Sequence, residues 1–373
     1  MGAATTIIFH PSPDPAAGPL TTLLHGARDR LVEHQAALFL RAGADAVRLV
    51  TVPGDSFGAA LREIAADLAR DAAGDPPGVV IMGAGAVPLL GPGAAGRLVA
   101  TAASGAARAL TNNRYSSDIC AVGDVRILRD LPALPGDNAL PRWLAERAGV
   151  PVAELPGRER LALDLDTPLD LALLALAPGL APSLRRLAAD AGLVVPRLAE
   201  LRTVLADRTR ELLVFGRASA RGMARLERGA ACRVRLLAEE RGMRASTALA
   251  QAPGRSPRPG ARPPRATLGR LLAARGGPAA LAATVGELAD GALLDSRVLL
   301  ADRLGPDEAR WPSPEDRYAS DLLRPAAIRD PWLRDLTASA AGAPIPILLG
   351  GHTLVGPGVG LLLRPQEGPS APR

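Results

Sequence analysis

Val79-Val80-Ile81-Met82, followed at once by Gly83-Ala84-Gly85, is an apolar run stopped by a glycine turn. It is too short for a helix and has the composition of a strand buried on both faces. Two runs of the same kind precede it, Thr6-Ile7-Ile8-Phe9 and Ala46 to Val52 (AVRLVTV). Between them lie segments of helical period, Arg30 to Ala42 with Leu31 and Leu38 on one face, and Phe57 to Ala72. Strand, helix, strand, helix, strand at this spacing predicts right-handed crossovers and a mostly parallel sheet. The fold class expected is therefore α/β, with a Rossmann-like sheet in the first half.

Farther along, Asp118 to Val122 and Arg160 to Leu165 read as further strands, and Pro168 to Ala177 as a helix. These complete a first domain over residues 1–180. Residues 181–210 read as a helical connector. Leu212 to Phe215 and Cys232 to Leu237 then open a second, smaller α/β domain over 211–365. Inside it, QAPGRSPRPGARPPRA (251–266) has five prolines, four arginines and no acid, the composition of a disordered insertion. The closing QEGPSAPR reads as a disordered tail.

The 373 residues carry 44 basic side chains, every one an arginine, against 38 acidic ones, a net charge of +6. Lacking lysine, the chain has no Schiff-base nucleophile and no lysine phosphate clamp. Nine aromatics are too few to build stacking platforms along a single strand, so no nucleic-acid partner is expected. Two distant cysteines, Cys120 and Cys232, form neither a disulfide framework nor a zinc spacing. With no basic stretch before the first apolar run, the expected compartment is the cytoplasm. Ile345 to Leu363 is uncharged, but five glycines and two prolines cut it into short blocks. Two buried strands around a turn are expected there, and no membrane partner.

Gly91-Pro92-Gly93-Ala94-Ala95-Gly96 matches GxGxxG, with Asp118 22 residues beyond it. A dinucleotide site needs its first glycine directly after a strand, whereas Val87-Pro88-Leu89-Leu90 intervenes here. More telling are GVVIMGAGAVPLL (Gly78 to Leu90) and LDLDTPLDLALL (Leu163 to Leu174), with LVEHQAALFLRAGADAVRLVTV (Leu31 to Val52) before them. Together they resemble nucleotidyltransferases of glycosyltransferase-A-like fold, particularly the 2-phospholactate and molybdenum-cofactor guanylyltransferases, over residues 5 to 178. The resemblance implies a nucleoside triphosphate bound over the carboxyl ends of parallel strands. It also implies Mg²⁺ held by acidic side chains, and transfer of the nucleotide to a small phosphorylated or anionic acceptor. Asp166 matches the second metal ligand of that pattern, and Asp164 stands ready to assist it.

The sequence departs from the pattern at Ala86, where the first metal ligand belongs. It departs again at Pro11, Pro13 and Pro15, which lack the amide hydrogens a phosphate loop uses. Either replacement ligands have moved in, with Asp14 and Asp118 as the candidates, or the fold is catalytically inactive and keeps a ligand- or partner-binding role. The polar run Thr111 to Asp118 supplies the candidate nucleotide or acceptor contacts Asn112, Asn113, Arg114, Ser117 and Asp118; the competing reading is a solvated loop. Asp-Thr-Pro likewise has a structural reading, as the cap of the helix that follows. In the second half, polar clusters stand at Glu239 to Arg244, Asp295 to Arg297, Glu315 to Tyr318 with Ser320 and Asp321 in a loop, and Gly350-Gly351-His352. His352, one of four histidines, is the candidate general base.

Overall fold

The computed structural model describes residues 2–51, 57–71, 76–134, 137–157, 159–241 and 264–364. Its first sheet has six strands: β1 (Ala4–Phe9), β2 (Ala46–Val50), β3 (Gly78–Gly83), β4 (Ala109–Thr111), β5 (Ile119–Val122) and β6 (Val152–Glu154). Their order is β2-β1-β3-β5-β4-β6. β1 pairs in parallel with both β2 and β3, as helical crossovers require. β5 alone runs against its neighbours, pairing Met82 with Ile119. Continued by one residue, that register sets Asp118 beside Gly83, at the carboxyl end of β3. Side chains alternate across the sheet. Ile8, Val80 and Met82 pack with Phe39 and Leu98 on one face, and Ile7, Val79 and Ile81 with Leu61 and Leu128 on the other.

The second sheet holds β7 (Glu211–Gly216), β8 (Arg233–Ala238), β9 (Gly291–Asp295) and β10 (Ile347–Gly350) in the order β10-β9-β7-β8, all parallel. The chain runs from β7 outward to β8, then crosses to β9 on the other side of β7. The strand order therefore reverses between β7 and β9, which opens a crevice at their carboxyl ends. This sheet shares its core with helices from the first half: Leu24 and Leu31 of the Pro19–Arg41 helix, and Leu169 and Leu173 of the Pro168–Leu174 helix, join Leu213, Leu293 and Leu348 in one buried cluster. Glu315 strengthens the join. Its carboxylate accepts from Leu20 N (3.0 Å), Thr21 N (3.1 Å) and Thr21 Oγ1 (3.0 Å), covering the start of the Pro19–Arg41 helix, where negative charge is favoured.

Several segments differ from the sequence-based expectation. Arg160 to Leu165 is not a strand: one 3-10 turn covers Arg160–Ala162. Leu161, Leu163 and Leu165 are buried at period two, yet no strand pairs with them among the described residues, and Leu165 N bonds to Gly85 O instead. The expected loop at Glu315 to Asp321 is a helix, Pro314–Asp321, started by Ser313 accepting from Asp316 N and by proline in its first turn. After β10 the chain forms two helical turns, His352–Val355 and Val359–Leu362, in place of a second strand. No described helix is long and apolar enough to cross a membrane. Of the Pro/Arg-rich insertion, 251–263 lie outside the described residues, as do the tail 366–373 and Gly242 to Arg244; Pro264 and Ala266 at its end are buried.

Candidate functional site

At the carboxyl ends of β1 and β3 lies a pocket of about 260 Å³, bordered by Phe9, Arg28, Gly85, Asp118, Asp164 and Asp166. Its floor is a tight contact between two distant segments. Leu165 N donates to Gly85 O at 2.8 Å, and a Cβ on Gly85 would lie 2.7 Å from Leu165 O. Only a residue without a side chain permits this approach. The turn after β3 thereby sits against the Leu163 to Asp166 stretch, and the flanking aspartates point to one space.

The Asp-Thr-Pro segment does two jobs. Thr167 and Asp170 form a capping box: Thr167 Oγ1 accepts from Asp170 N (3.2 Å), and Asp170 Oδ2 accepts from Thr167 N (2.8 Å) and Asp166 N (3.1 Å). Burial, with the charges of Asp166 and Asp321 behind it, pushes the Asp170 carboxyl up to about 7. The capping reading of the motif is thus correct for Thr167 and Asp170. Asp164 and Asp166 remain for the pocket. Asp166 is 70% exposed at its mouth, held by Arg28 Nη2 at 3.3 Å, while Arg28 Nε donates to Leu165 O at 3.0 Å.

Asp118 enters from the start of β5. Its carboxyl is pushed up to about 6, first by burial and then by the charge of Asp166; hydrogen bonds with Asn112 and Asp164 pull the other way. Asn112 holds the loop in shape. Its Nδ2 donates to Asp118 Oδ2 (2.6 Å) and Leu161 O (2.7 Å), and its Oδ1 accepts from Asp118 N (3.0 Å). Ser117 is buried against Thr111, with 2.9 Å between their hydroxyl oxygens. Arg114 N donates to Glu154 Oε1 at 2.8 Å. Asn112 and Ser117 therefore shape the loop, and Asp118 is its contribution to the pocket. Asp14 does not reach it; its carboxylate accepts from Ala16 N at 2.9 Å, within its own turn. Ala86 is buried, its carbonyl bonded by Gln35 Nε2 at 2.7 Å.

His352 lies elsewhere. It borders a cavity of about 750 Å³ between the two halves, together with Asn112, Asn113, Tyr115, Arg217, Arg221 and others. Arg217 bridges the crevice between β7 and β9 by a two-point contact with the buried Asp295, Nε to Oδ2 2.6 Å and Nη2 to Oδ1 3.2 Å. Gly216 makes room, for at φ +117° its Cβ would fall 2.3 Å from that of Asp295. His352 Nδ1–H donates to Arg217 O at 2.9 Å, which leaves Nε2 as the nitrogen able to meet a ligand. Desolvation of the ring first, then the Arg217 charge, lowers its pKa below the ordinary histidine value.

Beside this cavity is another of about 720 Å³, sharing Glu159, Arg221, Arg225 and Pro357 with it. Leu89, Leu163 and Leu361 line it with Arg160, Arg228 and Arg364. Arg221, Arg225 and Arg228 fall on one face of the Ala220–Gly229 helix. Arg225 pairs with Glu159. Arg160, Arg221, Arg228 and Arg364 have no acidic partner among the described residues. This arginine row went unread in the sequence, although its spacing of four and three residues was a visible signal.

Two other polar clusters of the second half are internal, whereas Glu239, accepting from Thr267 N, and Arg241, paired with Glu308, stand in exposed positions. Arg297 and Asp321 form a buried ion pair, Nη2 to Oδ2 2.7 Å. Asp316 accepts from Arg329 N (3.1 Å) and Asp330 N (3.0 Å). The glycines of the GxGxxG match lie at the start of the Pro92–Ala102 helix, nine residues beyond the end of β3 and not directly after it. Neither a protein-family model nor a curated protein matches this chain.

Proposed function

We propose that this protein binds a nucleoside triphosphate with Mg²⁺ in the three-aspartate pocket and passes the nucleotide to a small anionic acceptor. One observation carries the reading: Asp118, Asp164 and Asp166 converge on a space beside the Gly85 turn, at the carboxyl ends of parallel strands. The donor set fits the ion. Mg²⁺ takes one or two carboxylates and fills its remaining positions with water and phosphate oxygens. Three carboxyls with Arg28 as the one basic neighbour leave a negative space that requires a cation before phosphates can enter. Asp118, brought in by the antiparallel β5, offers the carboxylate that Ala86 lacks.

Bound there, Mg²⁺ would neutralise the phosphates and the charge that builds as the acceptor oxygen attacks. The chain's own groups do the rest. Asp164 and Asp166 would hold the ion, and Arg28, fixed by Leu165 O, keeps a positive charge at the mouth. The acceptor oxygen bonds to the α-phosphorus as the bond to the bridging oxygen breaks, and pyrophosphate leaves. The arginine-lined cleft, which adjoins the His352 cavity through Glu159, Arg221, Arg225 and Pro357, suits an anionic acceptor with an apolar portion, through Arg221 and Arg228 beside Leu163 and Leu361.

The test is thermal melting with ATP, GTP, CTP or UTP, with and without Mg²⁺. One triphosphate is expected to raise the midpoint only when Mg²⁺ is present; at a hundredfold its dissociation constant it stabilises by about 2.7 kcal/mol. No shift with any of the four, or a shift that Asp166→Ala leaves intact, rejects the reading. A second reading, binding without transfer, is favoured by Ala86 and by Pro11, Pro13 and Pro15. It is separated by looking for pyrophosphate: the inactive form holds the triphosphate and releases none.

A further inference from the structure

Among the residues that border none of these three spaces, three side chains meet in a way the triphosphate site does not use. His10 follows β1 directly and is 6% exposed, and His25 and Asp29 lie one turn apart on the Pro19–Arg41 helix. His10 Nε2 stands 2.7 Å from Asp29 Oδ1, and His25 Nε2 stands 3.7 Å from the same oxygen. The two imidazole rings are 4.7 Å apart between centroids. All three donor atoms lie within 4.8 Å of one another. Two of the four histidines in the chain thus converge on one carboxylate.

A hydrogen-bonded His–Asp pair explains His10 but not His25. At 3.7 Å the His25 nitrogen is beyond hydrogen-bond reach of the oxygen it faces, and that oxygen is already engaged by His10. A cation takes all three by replacing the His10–Asp29 hydrogen bond, the nitrogen and oxygen opening from 2.7 Å to the roughly 3.3 Å that two ligands about 2.0 Å from a tetrahedral ion require. Two neutral imidazole nitrogens and one carboxylate oxygen suit borderline divalent ions, Zn²⁺ or Co²⁺, better than Mg²⁺, which prefers oxygen alone. We propose that His10, His25 and Asp29 form a binding site for one divalent transition-metal ion, with a fourth coordination position left for water or a ligand.

His10 Nδ1 is buried without a protein partner, so this ligand lacks the acceptor that ordinarily braces a metal-bound histidine. Affinity is expected to fall roughly 10- to 100-fold below that of a fully braced site. The site is distinct from the three-aspartate pocket in its donor atoms, and its test is independent of nucleotide binding.

The experiment uses the untagged full chain, stripped with chelator and titrated with Co²⁺ while the visible d–d absorption is followed. One Co²⁺ per chain with a tetrahedral-type band, displaced by Zn²⁺, is expected. His25→Ala should weaken binding at least tenfold, with the metal-free melting midpoint read alongside to separate that loss from any cost of removing a ring that is 24% exposed. Asp164→Asn with Asp166→Asn should leave the band unchanged. Absence of a band in the wild type overturns the proposal. So does a band that His25→Ala leaves intact, or one that the Asp164 and Asp166 pair of substitutions abolishes.

Discussion

Gly85 and Leu165, eighty residues apart, are locked together by an N–H···O bond of 2.8 Å and by a backbone approach that leaves no room for a Cβ. This contact ties the turn after β3 to the aspartates that precede Thr167-Pro168. Gly85→Ala would set a methyl 2.7 Å from Leu165 O and 3.3 Å from Arg28 Nε. Because backbone must shift, a loss of about 1–3 kcal/mol is expected. Urea unfolding measures it, and a variant as stable as wild type would show that the contact is not held.

Asp170→Ala removes the acceptor for Thr167 N and Asp166 N and opens the capping box. The expected cost is about 1–2 kcal/mol, at the upper end for a cap because the site is buried. Nucleotide-dependent stabilisation should persist in this variant, since Asp164 and Asp166 remain. Its loss would make Asp170 part of the ligand site and not only a cap.

His352 supplies a pH dependence. Burial and Arg217 hold its folded pKa below the ordinary 6.5, so the unfolded chain takes up the proton first. Its stabilising share is complete above pH 6.5 and is lost as pH falls through that value toward the folded pKa. Melting midpoints of wild type and His352→Gln between pH 5 and 8 should converge at the acid end. Parallel curves would contradict the shift.

Cys120, on β5 inside the first sheet, is fully enclosed, and burial pushes its thiol up to about 12. The Cys232 thiol is raised too, by burial first. Neither should be alkylated by iodoacetamide at pH 7.5 in the folded chain, and both should react once urea unfolds it. Rapid labelling of Cys120 in the native state would show that β3, β5 and β4 are not packed as described.

The strands were readable wherever an apolar run was short and closed by glycine, as at Val79 to Gly83, because burial on both faces leaves little room for other residues. Leu161, Leu163 and Leu165 kept the right period and still formed no strand, since a ladder needs a neighbour that sequence does not reveal. Ser313 and Pro314 announced a helix start that the acidic residues after them obscured. Asp166 stood out through its motif, and the structure places it at the mouth of the pocket beside Gly85. The role of Asp118 in the pocket depends on β5 running antiparallel to β3, a matter of topology. His25 and Asp29 had a visible four-residue spacing, but His10 joins them only through the packing of β1 against the helix. The Ala220–Gly229 arginines were spaced as a helical face, yet what that face meets is set by residues from Leu89 to Arg364.

The most direct measurement is calorimetric titration of the triphosphate that stabilises the chain into wild type and into the Asp164→Asn, Asp166→Asn double variant, with and without Mg²⁺. One site per wild-type chain is expected, dependent on Mg²⁺ and absent from the double variant. Binding of equal strength to both proteins, or binding indifferent to Mg²⁺, would contradict a cation-bridged triphosphate in the three-aspartate pocket.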